Sequence, residues 1–221
     1  MKRFLIILFV SFSLTVVGQK EMTEGVITSK MTMSSTNPDV QSQFDMIGDI
    51  ISTTFFKDDK TRTDVMNMMT GESSSIIDNK EKMMMMIVNN PMAGGKVYAE
   101  NTFEPSEQDL EGVSLTKGDG TKTVLGYECT EYNVVVNKDG AEVKMDIYAT
   151  EKINAVNQQT TKLGEEFKGF PMYMVMHMNQ MGMDMTMTME VTEVKEESVA
   201  DDKFDMTPPD GYTKVDQIQG M

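Results

Sequence analysis

The sequence has little of the residues that carry most enzyme and metal-site chemistry. It contains one cysteine, Cys129, and one histidine, His177. A hydrolase triad needs a base beside its nucleophile, and the usual zinc sites need three or four ligands at close spacing. One cysteine and one histidine satisfy neither requirement, and the chain has no Gly-x-Ser-x-Gly turn. We therefore expect no enzymatic activity and no cofactor.

A lone cysteine also excludes an internal disulfide. In an oxidising compartment Cys129 is most simply interpreted as a small, buried apolar residue. An intermolecular bond or a reactive thiol is the alternative. His177 is interpreted as a residue on the polar face of a strand.

Long apolar runs are absent after residue 17. The first eighteen residues have the parts of a secretory signal: Lys2 and Arg3, an apolar run over residues 4–17, and a small residue, Gly18. That run is too short for a transmembrane helix, which needs roughly 20 apolar residues. The sequence predicts a signal peptide over 1–18 and one β-rich domain over 19–221. After cleavage this domain is expected to be soluble in the periplasm or outside the cell, without an integral membrane segment.

Positive charge is scarce. The formal net charge is −15, and loss of Lys2 and Arg3 with the signal makes it more negative. Nucleic acids and anionic membrane surfaces repel such a chain, so neither is expected as a partner.

What the sequence does contain is antiparallel β pattern. Segments rich in Val, Ile, Thr, Tyr and Met alternate in polarity between polar turn clusters such as "KDDK", "KGDGT" and "NKDG". The predicted strands are 25–34, 53–56, 61–69, 74–78, 82–89, 96–100, 113–117, 122–136, 141–150, 171–178 and 183–194.

Two segments are predicted to be short amphipathic helices. From Pro38, residues Val40, Phe44, Ile47 and Ile51 recur at helical spacing behind a suitable N-cap, Asn37. The second helix is predicted over 154–167, where apolar residues repeat the same spacing. About ten strands and two helices predict a mainly β (α+β) fold: a large curled antiparallel sheet, or half-barrel, with one or both helices covering its concave face.

Methionine is the most unusual component: nine of the twenty-one residues in "PMYMVMHMNQMGMDMTMTMEV", Pro171 to Val191, are methionine. Strand side chains alternate faces, so the two halves of this stretch each present a methionine row. In a hairpin whose loop has an even number of residues both rows share one face, with 178 opposite 181, 176 opposite 183 and 174 opposite 185. Met31 with Met33, and Met66 with Met68, suggest that the same dry face recurs on other strands.

The four consecutive methionines at 83–86 place two on each face of a strand. Met84 and Met86 can be core only if Met83 and Met85 contact a loop, a helix or a neighbour.

Three interpretations of the thioether face remain open. Methionine can fill an ordinary core, since it adapts to irregular gaps. It can line a deformable site for an apolar or lipid-like ligand beneath the helices. It can also ligate Cu(I), which soft sulfur selects, or act as an oxidant buffer. The predicted ligand-binding residues are Met172, Met174, Met176, Met178, Met183, Met185, Met187 and Met189, and the Cu(I) alternative uses Met174, Met176, Met183 and Met185.

Several stretches resemble a known family. "KTVLGYECTEYNVVV" (122–136), "FDMTPPDGYTKV" (204–215), "FFKDDKTRTDV", "SSIIDNKEKMMMMI" and "KVYAE" are similar, in order, to exported bacterial proteins of the domain of unknown function 4412 family. That family is similar in architecture to periplasmic lipoprotein carriers of the LolA/LolB kind, whose half-open antiparallel barrel and helical lid hold acyl chains. The resemblance implies this fold, and by fold analogy a lipid-like ligand, but no catalytic or binding residue. Within strand 122–136, Gly126 suggests a bulge or close approach, with Tyr127 and Cys129 on the face of Leu125.

Overall fold

The structure is a computed structural model that describes residues 20–67, 71–91, 95–103, 110–138, 141–180 and 183–218. The predicted signal peptide lies outside these residues. The helical elements include α1 (Pro38–Ile47) and the 3-10 helices Gln158–Leu163 and Asp201–Phe204. The strands are β1 (Glu24–Ser35), β2 (Ile50–Lys57), β3 (Lys60–Asn67), β4 (Gly71–Asp78), β5 (Met83–Asn90), β6 (Gly95–Thr102), β7 (Val113–Val124), β8 (Tyr127–Lys138), β9 (Ala141–Thr150), β10 (Phe170–Gln180), β11 (Met183–Lys195) and β12 (Thr213–Lys214).

All twelve strands belong to one sheet, in the order β12-β6-β5-β4-β3-β2-β1-β11-β10-β9-β8-β7. Neighbouring strands are antiparallel, apart from the short parallel pair β12 and β6. Within the described residues the sheet is open, ending at β12 on one side and β7 on the other. The predicted mainly β fold with a large antiparallel sheet is confirmed.

The first predicted helix is present but shorter than expected. Asn37 caps it, its side chain accepting hydrogen bonds from the backbone of Asp39 and Val40. The helix ends at Ile47 because Gly48 takes a positive φ of 68° and donates its N–H to the Phe44 carbonyl. Ile51, predicted to extend the apolar helix face, lies in β2. None of the residues of α1 is fully buried, but its predicted apolar positions Val40, Phe44 and Ile47 are half-buried. The side-chain amide of Asn67 in β3 donates to the Ile47 carbonyl.

The second predicted helix is wrong. Residues 151–169, here called the plug, connect β9 to β10 and contain only one turn-like 3-10 helix, Gln158–Leu163. Local polar side chains compete with α-helical hydrogen bonding: the Thr160 hydroxyl donates to the Asn157 carbonyl and the Thr161 hydroxyl to the Gln158 carbonyl. Threonine is also a weak α-helix former, so the apolar spacing alone was misleading.

The plug lies on one face of the sheet, here called the inner face. The Val156 N–H donates to the hydroxyl of Thr61 in β3, 3.0 Å away, and the Gln158 amide lies 3.5 Å from the sulfur of Met86 in β5. At its other end, the Phe167 ring packs 4.9 Å from the ring of Tyr132 in β8. In a flat sheet, β5 and β8 would be roughly 38 Å apart at the usual strand spacing, farther than this short segment can reach. The sheet therefore curls around the plug.

The opposite, outer face is partly covered by the C-terminal segment. The Arg62 guanidinium donates to the Lys203 carbonyl, and Lys57 forms an ion pair with Asp201 at 2.7 Å. Ile76 and Met85, which pair across β4 and β5 on this face, are fully buried. From the sequence, Met84 and Met86 could be core only if Met83 and Met85 were also covered. Met85 meets this condition, since it is fully buried. Met84 and Met86 on the inner face are half-buried.

The predicted strand 122–136 is a hairpin rather than one strand. Leu125 and Gly126 form a two-residue turn, with φ values of 50° and 85°, between β7 and β8. Leu125 is therefore a turn residue, 51 % exposed, and shares no strand face with Tyr127 and Cys129. Leucine rarely takes a positive φ, so this turn could not be predicted from the sequence pattern.

The predicted turn "KGDGT" is instead a bulge inside β7, between Lys117 and Thr121. Gly118 and Gly120 leave room for the Glu131 carboxylate, which accepts the Gly120 N–H at 3.1 Å. The glycine cluster serves a close approach within a strand, whereas the tight turn lies five residues farther along.

None of the helices in the described part of the chain is long and apolar enough to cross a membrane.

Candidate functional site

The methionine hairpin forms as predicted, but in a different register. Met178 lies opposite Met185, Met176 opposite Met187 and Met174 opposite Met189. Gln180 pairs with Met183, and every predicted partner is displaced by four residues along β11. Because the displacement preserves the alternation of side chains, the prediction that both methionine rows share one face is confirmed.

Neighbouring strands extend these pairs into rows that cross the sheet. One row runs Met145, Met176, Met187 and Met33 over the four adjacent strands β9, β10, β11 and β1. The next row towards the plug contains Met174, Met189 and Met31. We call this inner surface the thioether face: Met31, Met33, Met145, Met174, Met176, Met178, Met185, Met187 and Met189.

Burial changes along the thioether face. Met174 and Met189 are buried in a cluster with Ile147 and with Leu163 of the plug. Met176, Met178, Met185 and Met187, closer to the hairpin turn, are half-buried. The face is therefore ordinary filled core under the plug and partly open to solvent beyond it.

The remaining predicted ligand-binding residues lie at the two ends of the hairpin. Met172 occupies a bulge in β10, between Pro171 and Tyr173, and is fully buried. The backbone of Met183 pairs with Gln180, but its side chain lies outside the described residues. Of the four methionines of the Cu(I) alternative, Met174 is core and Met183 is at the turn, so the observed register does not bring those four into adjacent pairs.

The thioether face does not recur on β3 as expected. Met66 points to the outer face and is 68 % exposed, and Met68 lies outside the described residues. Met31 and Met33 do share the face of the hairpin methionines, since they pair with Met189 and Met187.

Under the plug, aromatic residues complete the packing. Tyr132 is nearly fully buried against Phe167, in the same cluster as Met174 and Met189. Burial raises the pKa of the Tyr132 hydroxyl, because a phenolate would lose its hydration there. The Tyr132 hydroxyl therefore remains protonated at neutral pH.

A cavity of about 730 Å³ lies on the other side of the plug. Phe103, at the end of β6, and Leu110, just before β7, face the plug residues Ile153, Val156 and Phe167 across it. None of the methionines in the described ranges lines it. Phe167 contributes both to the cavity wall and to the packing against the thioether face.

Polar and charged side chains also line the cavity. They are Glu21, Asn79, Lys82, Glu151, Asn154, Asn157, Thr160, Thr161, Glu165 and Lys168. Lys82 lies 5.5 Å from the centre of the Phe103 ring, so this cation is held at an aromatic wall. The cavity can accept a molecule with an apolar body and a polar end.

Sequence reasoning did not find this cavity. Its walls come from segments far apart in the chain, and the plug was predicted to be a regular helix. The available signal was the "NQQTT" stretch, in which Asn157, Thr160 and Thr161 make the local hydrogen bonds that disfavour an α-helix.

His177 and Cys129 have separate environments. His177 is exposed on the outer face, and its Nδ1 is 3.1 Å from the Thr186 hydroxyl. Cys129 is fully buried in a cluster with Ile27, Phe170 and Val191. Among the described residues, no group of three or more His, Cys, Asp or Glu side chains could hold a metal ion.

Burial raises the pKa of the Cys129 thiol to about 11. We expect the native protein to resist iodoacetamide at pH 8 and the urea-unfolded chain to react fully, because only the thiolate is nucleophilic. Since the chain has one cysteine, the mass gain of the intact protein reports this site alone. Rapid stoichiometric labelling of the native state would contradict the buried interpretation.

The raised pKa of Cys129 also predicts how stability depends on pH. The unfolded thiol ionises near 9.0, so the free energy of unfolding should fall as the pH rises from 9.0 towards 11.

Comparison with known proteins supplies the family. The model of a domain of unknown function, DUF4412, matches residues 24–212, which include all of the strands from β1 to β11. The chain belongs to the DUF4412 family. The family itself carries no assigned activity, and no curated protein matches the sequence.

Solved structures match this DUF4412 protein over most of its length. A structure of PNGF-II matches over 87 % of this chain at 16 % identity with a TM-score of 0.50, and the chain spans only 31 % of PNGF-II. An uncharacterized conserved protein from Thermus thermophilus matches over 85 % of this chain and 90 % of its own, at 10 % identity and a TM-score of 0.43.

A putative outer membrane lipoprotein-sorting protein domain from Vibrio parahaemolyticus matches over 82 % of this chain and 88 % of its own, at 8 % identity and a TM-score of 0.25. TM-scores below 0.5 carry no inference, and the likeness to PNGF-II concerns the fold alone.

Proposed function

We propose that this DUF4412 protein is an exported, non-catalytic binding protein that holds an apolar or lipid-like molecule in the cavity beside the plug. The observation that carries the proposal is the cavity of about 730 Å³ beside the plug. Its volume is in the range of about 300–1,000 Å³ that small-molecule sites occupy. Its apolar side chains suit the body of such a molecule, and the lysines and glutamates suit a polar end.

The thioether face enters this proposal as the surface behind the plug. Leu163 and Phe167 separate the cavity from the buried methionines. An apolar chain too long for the cavity would reach Met174 and Met189 by displacing these two side chains, and the half-buried Met176, Met178, Met185 and Met187 would extend the contact. Methionine suits such a role, since its flexible side chain adapts to different shapes.

Export and the lack of catalysis are part of the same proposal. The signal-like stretch 1–18 supports an exported protein. The thiol of Cys129 is buried and its pKa is raised, and His177 is exposed and does not line the cavity; both support binding over chemistry.

A single introduced tryptophan tests the site, because the natural chain has none. Leu110 lines the cavity and is 39 % exposed, so it can be enlarged without disrupting the core. We expect a dibrominated fatty acid, which quenches nearby indole fluorescence, to quench Leu110→Trp saturably. Leu125→Trp is the matched control, as it is another exposed leucine that does not line the cavity.

Equal quenching of both variants, or of neither, would count against the proposed site. Native mass spectrometry of the unmodified protein with the same fatty acid checks that the substitution has not blocked binding. A bound copy on the natural chain is expected, and a bare mass at saturating fatty acid would reject the proposal.

A further inference from the structure

The cross-strand rows on the thioether face bring sulfur atoms together where the sequence alone spreads them along a strand. Residues directly opposite in an antiparallel pair have Cβ atoms about 4.5–5.5 Å apart. Met176 and Met187 form such a pair, and Met33 lies beyond Met187 in the same row. Met178 and Met185 form the next pair towards the turn. Five thioethers thus surround one point of the sheet.

These five methionines are more accessible to solvent than three other methionines of the thioether face. All are half-buried, whereas Met145, Met174 and Met189 are packed in the core. Their side chains are therefore partly accessible from solvent. The unbranched side chain has three rotatable bonds, so neighbouring sulfurs can turn towards a common centre without moving the backbone.

We propose that Met176 and Met187, with a third thioether from Met33, Met178 or Met185, bind one Cu(I) ion. Thioethers are soft ligands and select Cu(I) over harder divalent ions such as Mg²⁺ and Ca²⁺. The site is independent of the proposed apolar ligand, because none of these methionines lines the cavity. It also differs from the quartet predicted from sequence, as Met174 is buried and Met183 is displaced by the observed register.

The outer face of the hairpin does not contribute. His177 and Thr186 form a cross-strand pair there, while Met176 and Met187 face the other side. The proposed coordination is therefore by sulfur alone.

The test is metal binding by the full mature chain, with Ag(I) as a soft probe that stays monovalent and Cu(I) kept reduced by ascorbate. We expect the natural protein to bind about one equivalent of either ion in competition titrations. The double variant Met176→Leu, Met187→Leu should lower the affinity by roughly 100-fold or more, since it removes both central ligands rather than a supporting contact. Leucine conserves side-chain volume, so the fold should persist.

The matched control is Met46→Leu, Met66→Leu, which changes two highly exposed methionines away from the thioether face. It should leave the affinity unchanged. An equal loss in both double variants, or no binding by the natural chain, would overturn the site.

A second measurement does not depend on variants. X-ray absorption at the copper edge should detect sulfur neighbours only, and nitrogen-dominated coordination would reject the proposal. The two proposals can fail separately. Absence of metal binding with intact fatty-acid quenching in Leu110→Trp rejects only the copper site, and metal binding without quenching rejects only the proposed function.

Discussion

Replacing Met172 with alanine should lower the free energy of unfolding by about 2–5 kcal/mol, the usual loss when a buried methionine is truncated. Met172 is fully buried and packs in one cluster with Ile27, Phe56 and Phe170, together with Ile153 of the plug. Truncation leaves a void that a bulged strand, constrained on both sides, fills poorly. Urea unfolding followed by circular dichroism measures the loss.

Two further variants show whether burial is the cause. Met66→Ala should change stability by no more than about 0.5 kcal/mol, because this side chain is 68 % exposed. Met172→Leu, which conserves volume, should cost less than about 1.5 kcal/mol. Similar losses at Met172 and Met66 on truncation would contradict the assignment of Met172 to the filled core.

Replacing Gly169 with alanine should cost about 2–6 kcal/mol. This residue ends the plug with a φ of 90°, and a Cβ atom there would be 2.5 Å from the Thr150 carbonyl oxygen. The positive φ alone costs about 1–3 kcal/mol for a residue with a side chain, and forced overpacking adds about 1–3 kcal/mol. Thr150 cannot move away easily, because it pairs with Phe170 at the end of the sheet.

Gly48→Ala is the matched control for the backbone effect. Gly48 also has a positive φ, 68°, but a Cβ atom added there would have no neighbour within 4 Å. We expect a loss of about 1–3 kcal/mol at this position, from conformation only. Thermal or urea unfolding of both variants separates the two causes, and a Gly169 variant no worse than the Gly48 variant would show that the close approach is unimportant.

Much of the sheet could be predicted from local pattern. Alternation over 141–150 matches β9 residue for residue, and most other strands differ only at their ends. The turn in "VLGYEC" was not predicted because its first turn residue, Leu125, adopts a positive φ that leucine normally avoids. The glycines at 118 and 120 suggested a turn, although their purpose is to accommodate Glu131.

The candidate sites depended more heavily on tertiary structure. Residues 151–169 were predicted to cover the inner face and do lie there, but as an irregular plug with one 3-10 helix rather than as a regular α-helix. The cavity follows from this irregularity, since its walls combine the plug with the end of β6 and the start of β7. The local sequence pattern of each segment does not predict that these segments lie next to one another in the fold.

The sequence by itself determined that the methionines of each hairpin strand share one face, because side chains alternate with a period of two. That both rows lie on the same face depended on an even loop, which the observed pairing supplies. The sequence also determined the mainly β class and the scarcity of catalytic side chains. Only the tertiary structure decided the register of the hairpin, and therefore which sulfurs are neighbours. Moving the turn by two residues keeps every methionine on the same face, so the choice rests on how β9, β1 and the plug pack against the pair.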